Sequence, residues 1–238
     1  MADLEAFPED WDTALCVVAH PDDMEYGASG AVARWTAQGK KVAYLLACRG
    51  EAGIDGMPPE EAGPLREREQ WAACTAVGVS ELEFLDHPDG MMEYGLPLRR
   101  DIAAAIRRHR PQLVITGNYQ EKFAGGFLNQ ADHIAVGRAT VDAVRDAGNR
   151  WVFRDLELEP WTGVKYVAIS GSPDAAHGVD ITDTFDQAVA SLRAHEQYLA
   201  GLGDNGMADP DAFLRPFAET AGQRFGVGLA TTFELLTM

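Results

Sequence analysis

The sequence predicts an α/β protein built on a Rossmann-like, doubly wound and mostly parallel sheet with helices on both faces. Two observations support this fold class. Short apolar segments of strand length alternate along the chain with longer segments of helical pattern, usually across short connections. Polar loops follow several of the apolar segments, as expected where parallel strands end at a common, ligand-binding edge.

The predicted strands are short apolar segments bounded by polar turns. The first, residues 14–19, reads Ala-Leu-Cys-Val-Val-Ala. Further strands are predicted at residues 41–48, 82–85, 113–116 and 164–170. A strand, a helix and a second strand with short connections form a parallel βαβ unit, whose crossover should be right-handed.

The predicted helices lie between these strands and mostly end at glycine or before proline. They are placed at residues 27–38, 65–77, 98–109, 132–147 and 182–199. Glycine-bearing segments without periodicity are predicted loops, at residues 49–64, 117–131 and 201–210. The pattern leaves residues 213–238 unassigned. Because no linker composition divides the chain, residues 1–238 are predicted to form one domain.

The composition is that of a globular protein with an acidic excess. Of 238 residues, 37 are acidic and 20 basic, for a net charge of −17. This charge argues against nucleic acid or an anionic membrane as a partner, because both are bound through clustered lysine and arginine. Three separated cysteines predict neither disulfides nor a cysteine metal site. Residues 1–12 lack a signal-peptide pattern and no apolar run is of spanning length, so a cytoplasmic protein is expected.

The most informative stretch is Ala19-His20-Pro21-Asp22-Asp23-Met24-Glu25, directly after the first strand. Crowding four ionisable side chains into six residues is unfavourable unless they bind or react with something. His20 and Asp23 are close enough across the turn to bind one ion, and imidazole with carboxylate suits Zn²⁺ or a similar divalent ion. A third ligand must come from elsewhere. Asp22 should point in another direction, as a carboxylate able to take a proton from an activated water.

This stretch resembles the signature of the PIG-L/LmbE family of metal-dependent N-acetylglucosaminyl deacetylases. Asp132-His133, at a predicted helix start, resembles the family's second motif, usually His-Pro-Asp-His. Three shorter segments add to the resemblance: Gly50-Glu51-Ala52-Gly53, Arg66-x-x-Glu69 and Val179-Asp180-Ile181-Thr182. The resemblance therefore covers most of residues 1–200.

The resemblance implies a zinc-dependent hydrolase with an LmbE-like fold that deacetylates an N-acetylglucosamine-type sugar or glycoside, a small-molecule substrate. Carried over by position, His20, Asp23 and His133 would bind the metal, and Asp22 would be the general base for attack of metal-activated water on the amide. A His₂Asp set also accepts Fe²⁺, Co²⁺ or Ni²⁺, so the identity of the ion stays open. A homo-oligomer is also left open.

Gln130 and Ala131 stand where the family motif usually has His and Pro. The resemblance assigns that His to the tetrahedral oxyanion, so Gln130 is the candidate for this catalytic place, beside Asp132. A glutamine amide donates a hydrogen bond but carries no charge and transfers no proton. Loss of one oxyanion donor raises the barrier by roughly 2.7–4 kcal/mol, of which a glutamine should recover part.

Four residues are candidate substrate contacts: Glu51, Arg66, Asp89 and His177. Arg66 matches a family position that contacts substrate hydroxyls, with a solvated arginine in the first helical turn as the alternative. The other three are expected to face the pocket from loops or from the start of a strand at 179–180. Two ionisable residues receive other roles. Glu25 is expected to orient His20 or bind a backbone donor, and His195 to lie on a helix surface.

Two functional alternatives stay open. One is an amidase that cleaves a larger acyl group from an amino-sugar conjugate. The other is a metal-bearing sugar-binding protein with weakened catalysis. Gln130 favours this second alternative, whereas Asp22 disfavours it because a binding protein has no use for an unliganded carboxylate beside the ion.

Overall fold

One mixed sheet forms the centre of the molecule. The structure is a computed structural model that describes residues 3–238, so the first two residues of the segment 1–12 lie outside the described part. The strands are β1 (Glu5–Ala6), β2 (Thr13–Val18), β3 (Lys41–Leu46), β4 (Glu81–Phe84), β5 (Leu113–Gly117), β6 (Tyr166–Ser170), β7 (His177–Asp180) and β8 (Ala230–Thr237). Their order is β1-β7-β8-β6-β5-β2-β3-β4, and among the strands of residues 3–238 only β8 runs antiparallel to its neighbours. The predicted fold class is confirmed.

Helices cover both faces of this sheet. They are α1 (Asp23–Gly27), α2 (Ser29–Ala37), α3 (Pro59–Ala76), α4 (Leu96–His109), α5 (Ala131–Gly148), α6 (Phe185–Arg193), α7 (Glu196–Gly201) and α8 (Pro210–Phe225). Successive strand residues point to opposite faces, so Tyr44 and Leu45 of β3 belong to two separate apolar clusters. Helices α2 and α6 contribute to the first cluster, and α4 and α5 to the second. Within residues 3–238, no helix has the length and apolar character needed to cross a membrane.

Three element predictions need correction. Helix α3 begins at Pro59, inside the predicted loop 49–64, because proline is tolerated in a first turn where its missing amide would be unpaired anyway. The predicted helix 182–199 is two helices, α6 and α7, separated at Ala194 and His195. The unassigned tail forms most of α8 and all of β8.

The carboxyl ends of the parallel strands create a common edge, as the sequence predicts. Strand β2 lies between β3 and β5, and β4 lies beyond β3. The loops that follow these four strands therefore leave the sheet side by side. Helix α5 packs against β2 and β5 and begins at the same edge. This arrangement places residues from distant parts of the chain around the turn after β2.

Candidate metal centre

The turn after β2 carries the first motif in an unusual backbone conformation. Asp22 has φ 82° and ψ −16°, in the left-handed region that non-glycine residues seldom adopt. Beyond this turn the two adjacent carboxylates diverge. Asp23 Oδ1 lies 3.0 Å from His133 Nε2, whereas Asp22 Oδ2 lies 2.6 Å from Arg66 Nη2. The geometry agrees with the expectation that Asp22 and Asp23 point in different directions.

The three predicted metal ligands lie together. His20 Nδ1 is 3.3 Å from His133 Nε2, and Asp23 Oδ1 is 3.0 Å from the same nitrogen. Donor atoms at about 2.0–2.2 Å from a tetrahedral Zn²⁺ are themselves about 3.3–3.6 Å apart. The observed spacings are close to this range, so His20, Asp23 and His133 form a candidate metal-binding triad.

The outer nitrogens of both imidazoles face hydrogen-bond acceptors. His20 Nε2 lies 3.0 Å from Asp89 Oδ1 and 3.3 Å from Asp132 Oδ2. His133 Nδ1 lies 3.0 Å from Asn129 Oδ1. Acceptors at these positions keep a proton on each outer nitrogen and leave the inner nitrogens with lone pairs for an ion. The sequence analysis missed Asn129, whose one signal is a polar side chain four residues before His133.

Asp23 is held by the backbone of its own turn. Its Oδ2 accepts hydrogen bonds from the N–H groups of Ala19, at 3.0 Å, and His20, at 2.9 Å. Burial acts to raise the pKa of Asp23, but His133 and His20 beside it hold that pKa well below its usual range. Asp23 is therefore ionised, with Oδ1 directed at His133.

Carboxylates raise the pKa of both imidazoles. Burial lowers the pKa of His20, but hydrogen bonds to Asp132, Asp23 and Asp89 outweigh it, so the pKa lies well above the ordinary value. Burial also lowers the pKa of His133, and the charge of Asp23 reverses this and raises it. Both rings therefore favour a positive charge in this place, which a proton or a cation can supply.

Asp132 connects the start of α5 to the loop after β4. Its Oδ2 accepts from the N–H of Gly90 at 2.7 Å, and its Oδ1 accepts from the N–H of Met92 at 3.1 Å. Burial acts to raise the pKa of Asp132, but the hydrogen bonds from His20 and these two amides lower it. Asp132 lies beside His20 and its contacts favour orienting that imidazole, while its predicted catalytic role stays a prediction.

Asp22 is buried against α3. Only 9% of its side chain is exposed, and its partner Arg66 also donates to the Pro21 carbonyl at 2.6 Å. The Arg66 guanidinium lies 3.9 Å from the ring centre of Tyr198. Burial raises the pKa of Asp22 against the lowering effect of Arg66 and His195. A raised pKa suits a carboxylate that exchanges protons, and Arg66 holds this carboxylate instead of lying solvated at the surface.

Glu51 and Asp89 lie beside the centre but are already engaged. Glu51 Oε1 accepts from the N–H of Asp89 at 3.0 Å, and Glu51 Oε2 accepts from the N–H of Arg49 at 3.2 Å. Asp89 Oδ2 accepts from the N–H of Ala52 at 2.8 Å. These bonds join the loops after β3 and β4. Both residues therefore brace the loops around His20, and a substrate contact for either stays a prediction.

His177 does not join the site. It begins β7, four strand positions from β2, and its Nε2 lies 3.8 Å from Glu5 Oε2 on β1. The predicted substrate contact of His177 is therefore corrected, because β7 runs parallel to β2 and its first residue lies at the sheet edge opposite the carboxyl ends. Gln130 directly precedes α5, with its side chain exposed and its N–H donating to Asn129 Oδ1 at 2.8 Å. Its oxyanion role stays a prediction.

A second group of polar side chains lies buried behind Asp22: Glu25, Ser191 and His195. His195 is fully buried, with Nε2 3.8 Å from Oε2 of the equally buried Glu25, so its predicted surface position is wrong. Glu25 Oε1 accepts from Gln70 Nε2 at 3.1 Å and lies 3.3 Å from Ser191 Oγ. Glu25 therefore contacts side chains of α3 and α6. The expectation that Glu25 orients His20 is wrong. His195 is buried at the break between α6 and α7. The periodicity of the sequence does not reveal this break, so it gave no signal that His195 is buried.

Two proteins of named activity resemble this chain in sequence. The diacetylchitobiose deacetylase of Thermococcus kodakarensis is 30% identical over 190 residues, or 76% of this chain and 68% of that protein. The probable N-acetyl-alpha-D-glucosaminyl L-malate deacetylase 2 of Bacillus anthracis is 31% identical over 137 residues, or 55% of this chain and 58% of that protein. The predicted class of activity, sugar deacetylation, is thus the named activity of these relatives.

A solved structure and a family model complete the comparison. The N,N′-diacetylchitobiose deacetylase from Pyrococcus horikoshii, complexed with its inhibitor, superposes with a TM-score of 0.86 at 22% identity, covering 96% of this chain and 85% of that one. It shares the fold. The family model of PIG-L, GlcNAc-PI de-N-acetylase, matches residues 15–144, which include the whole candidate metal centre. The chain therefore belongs to the PIG-L family, as its motifs predict.

Proposed function

We propose that this chain is a Zn²⁺-dependent deacetylase that hydrolyses the acetamide of an N-acetylglucosamine-type sugar or glycoside. One observation carries the proposal: the donor atoms of His20, Asp23 and His133 lie together, and Asp22, the residue directly before Asp23, is buried. The names of the relatives, deacetylases of diacetylchitobiose and of an N-acetyl-glucosaminyl malate, support the substrate class.

The donor set fits a catalytic divalent ion. Two imidazoles and one carboxylate would hold Zn²⁺ and leave a fourth position open, which distinguishes catalytic zinc sites from structural ones. When bound, the ion supplies Lewis acidity that polarises the amide carbonyl and lowers the pKa of water. Asp89, Asp132 and Asn129 orient the two imidazoles toward that ion from behind.

Asp22 is the proposed general base. Its carboxylate takes a proton from the attacking water and passes it to the leaving nitrogen. The C–O bond forms first to give a tetrahedral intermediate, and the C–N bond breaks once the nitrogen has been protonated, so the products are acetate and the free amino sugar. Arg66, 2.6 Å away, fixes one oxygen of Asp22. Gln130, at the start of α5, is the proposed hydrogen-bond donor to the oxygen of the tetrahedral intermediate.

The proposal is tested by acetate release from N-acetylglucosamine and N,N′-diacetylchitobiose. Dialysis against a chelator should abolish release, and added Zn²⁺ should restore it. Asp22→Asn preserves the shape of the side chain but removes the base, so kcat should fall at least about a hundredfold at unchanged zinc content. A zinc-loaded protein that releases no acetate from either sugar contradicts the proposed activity, and full activity of Asp22→Asn contradicts the proposed base.

Cleavage of a larger acyl group is a second candidate. Phe127 and Leu128, just before Gln130, are 74% and 81% exposed. Exposed apolar side chains in the loop that leads into α5 can bind an apolar part of a ligand. The comparison of kcat/KM for N-acetyl-, N-butyryl- and N-octanoyl-glucosamine decides between the two candidates. A value that rises with chain length favours the amidase, and a value that falls favours the deacetylase.

A further inference from the structure

We propose that Gln70 is a positioning residue for Asp22, an inference that rests on the proposed function. Gln70 and Arg66 are four residues apart on α3, and both are 1% exposed, so they extend from one buried face of the helix. Arg66 binds the Asp22 carboxylate, while Gln70 Oε1 accepts the N–H of Asp22 at 3.1 Å. Successive turns of one helix therefore hold both the side chain and the backbone of Asp22.

The backbone of Asp22 requires such support. A non-glycine residue at φ 82° is strained, and strain of this kind persists only where the surroundings determine the conformation. The N–H of Asp22 is directed into the protein, where loss of its acceptor would leave a buried donor unpaired. Without Gln70 we expect the Pro21–Asp22 peptide to rotate, which displaces the Asp22 carboxylate from its place beside the metal ligands.

The residues behind Gln70 determine which way its amide points. Gln70 Nε2 donates to Glu25 Oε1 at 3.1 Å on one side, and on the other side the backbone N–H of Asp22 can only donate a hydrogen bond. The NH₂ group must therefore face Glu25, which turns the amide oxygen toward Asp22. Ser191 Oγ lies 3.3 Å from the same Glu25 oxygen, and the buried His195 ring lies beside the other oxygen at 3.8 Å. The buried polar group behind the site thus acts through Gln70.

The metal ligands depend on other contacts. Asp23 is held by the N–H groups of Ala19 and His20, and His133 by Asn129. Removal of the Gln70 amide should consequently change the base and leave zinc binding intact. This separation distinguishes a positioning role from a general contribution to folding.

The test uses two variants and a matched control. Gln70→Met has nearly the same shape but makes no hydrogen bonds. Gln70→Asn keeps a polar amide that is too short to reach both partners, and it provides a second variant if Gln70→Met does not fold. Each should lower kcat at least about tenfold, with KM within about twofold and zinc content equal to that of the wild type. In the control, Gln112→Met removes a similar bond, 2.7 Å to the N–H of Asp12 at the opposite edge of the sheet, and should retain wild-type kcat.

Each outcome is decisive. An unchanged kcat in either Gln70 variant overturns the inference, and so does a loss of zinc that matches the loss of activity. If the wild type binds zinc but deacetylates no sugar, the proposed function fails instead. In that case crystal structures test the role of Gln70 without an activity measurement. Asp22 should leave the left-handed region in Gln70→Met while His20 and His133 stay in place, and an unchanged Asp22 overturns the inference.

Discussion

Replacement of Asn129 should weaken metal binding although Asn129 is not itself a ligand. Its Oδ1 accepts from His133 Nδ1 at 3.0 Å and from the N–H of Gln130 at 2.8 Å. Its Nδ2 donates to the carbonyls of Asn118, at 2.7 Å, and Gln120, at 2.9 Å. The oxygen therefore serves the metal ligand, whereas the nitrogen serves the loop before α5. Substitutions can separate these two roles.

Asn129→Ala removes both roles, and Asn129→Asp removes only the second. Loss of the partner that orients a metal-binding histidine typically weakens metal affinity about 10- to 100-fold, or roughly 1.4–2.7 kcal/mol. Asn129→Ala should show this loss, whereas Asn129→Asp keeps an acceptor for His133 and should bind within about threefold of the wild type. Both should lower the free energy of unfolding by at least about 1 kcal/mol, because carbonyls lose their donor.

The assay is competition for Zn²⁺ with a chromophoric chelator at fixed pH, accompanied by urea unfolding of the metal-free protein. Asn118→Ala is the control. The Asn118 side chain contacts the Lys122 carbonyl and the N–H of Gln120, so its loss perturbs the same loop without removing the His133 acceptor. If Asn129→Ala binds zinc as tightly as the wild type, or Asn118→Ala loses as much affinity, Asn129 does not orient His133.

Three further predictions concern pH, stability and catalysis. The pKa values of His20 and His133 are raised, so at a pH below these values the ion must displace protons from the imidazoles. Zinc affinity, measured by chelator competition, should therefore fall about 10- to 100-fold for each unit by which the pH decreases. Arg107 is buried and donates to five backbone carbonyls at the end of α5 and in the loop after it, so Arg107→Met should lower the free energy of unfolding by about 3 kcal/mol in urea with kcat unchanged. Gln130→His should raise kcat about tenfold if the exposed residue before α5 serves the oxyanion, and an unchanged or lower rate argues against that role.

Local patterns were sufficient for the parts of the fold that local interactions determine. The apolar segments predict β2, β3 and β5 to within two residues, and the strand order places the first motif at the ligand-binding edge. The metal triad could be predicted because the resemblance joins two motifs that lie more than a hundred residues apart.

Long-range packing determines what the sequence analysis missed. His195 occupies an ordinary polar position in a helical pattern, and its burial depends on Glu25, 170 residues earlier in the chain. Strand β8 has no pattern that distinguishes it from a surface segment, and it becomes a central strand by insertion between β6 and β7. Gln70 resembles any helical glutamine until α3 packs against the turn at Asp22. Such contacts lie beyond local periodicity.

Charge balance connects the geometry of the centre to its need for an ion. Three carboxylates contact the two imidazoles, those of Asp23, Asp89 and Asp132, and a fourth, that of Asp22, precedes Asp23 and pairs with Arg66. Arg66 neutralises one of them, which leaves three negative charges in a largely buried space while His20 and His133 are neutral. Burial favours a smaller net charge. Two protons on the imidazoles, or one divalent cation between them, reduce the excess equally. The carboxylates that raise the pKa values of both histidines would also attract a divalent cation. Protons and metal therefore compete for the same site.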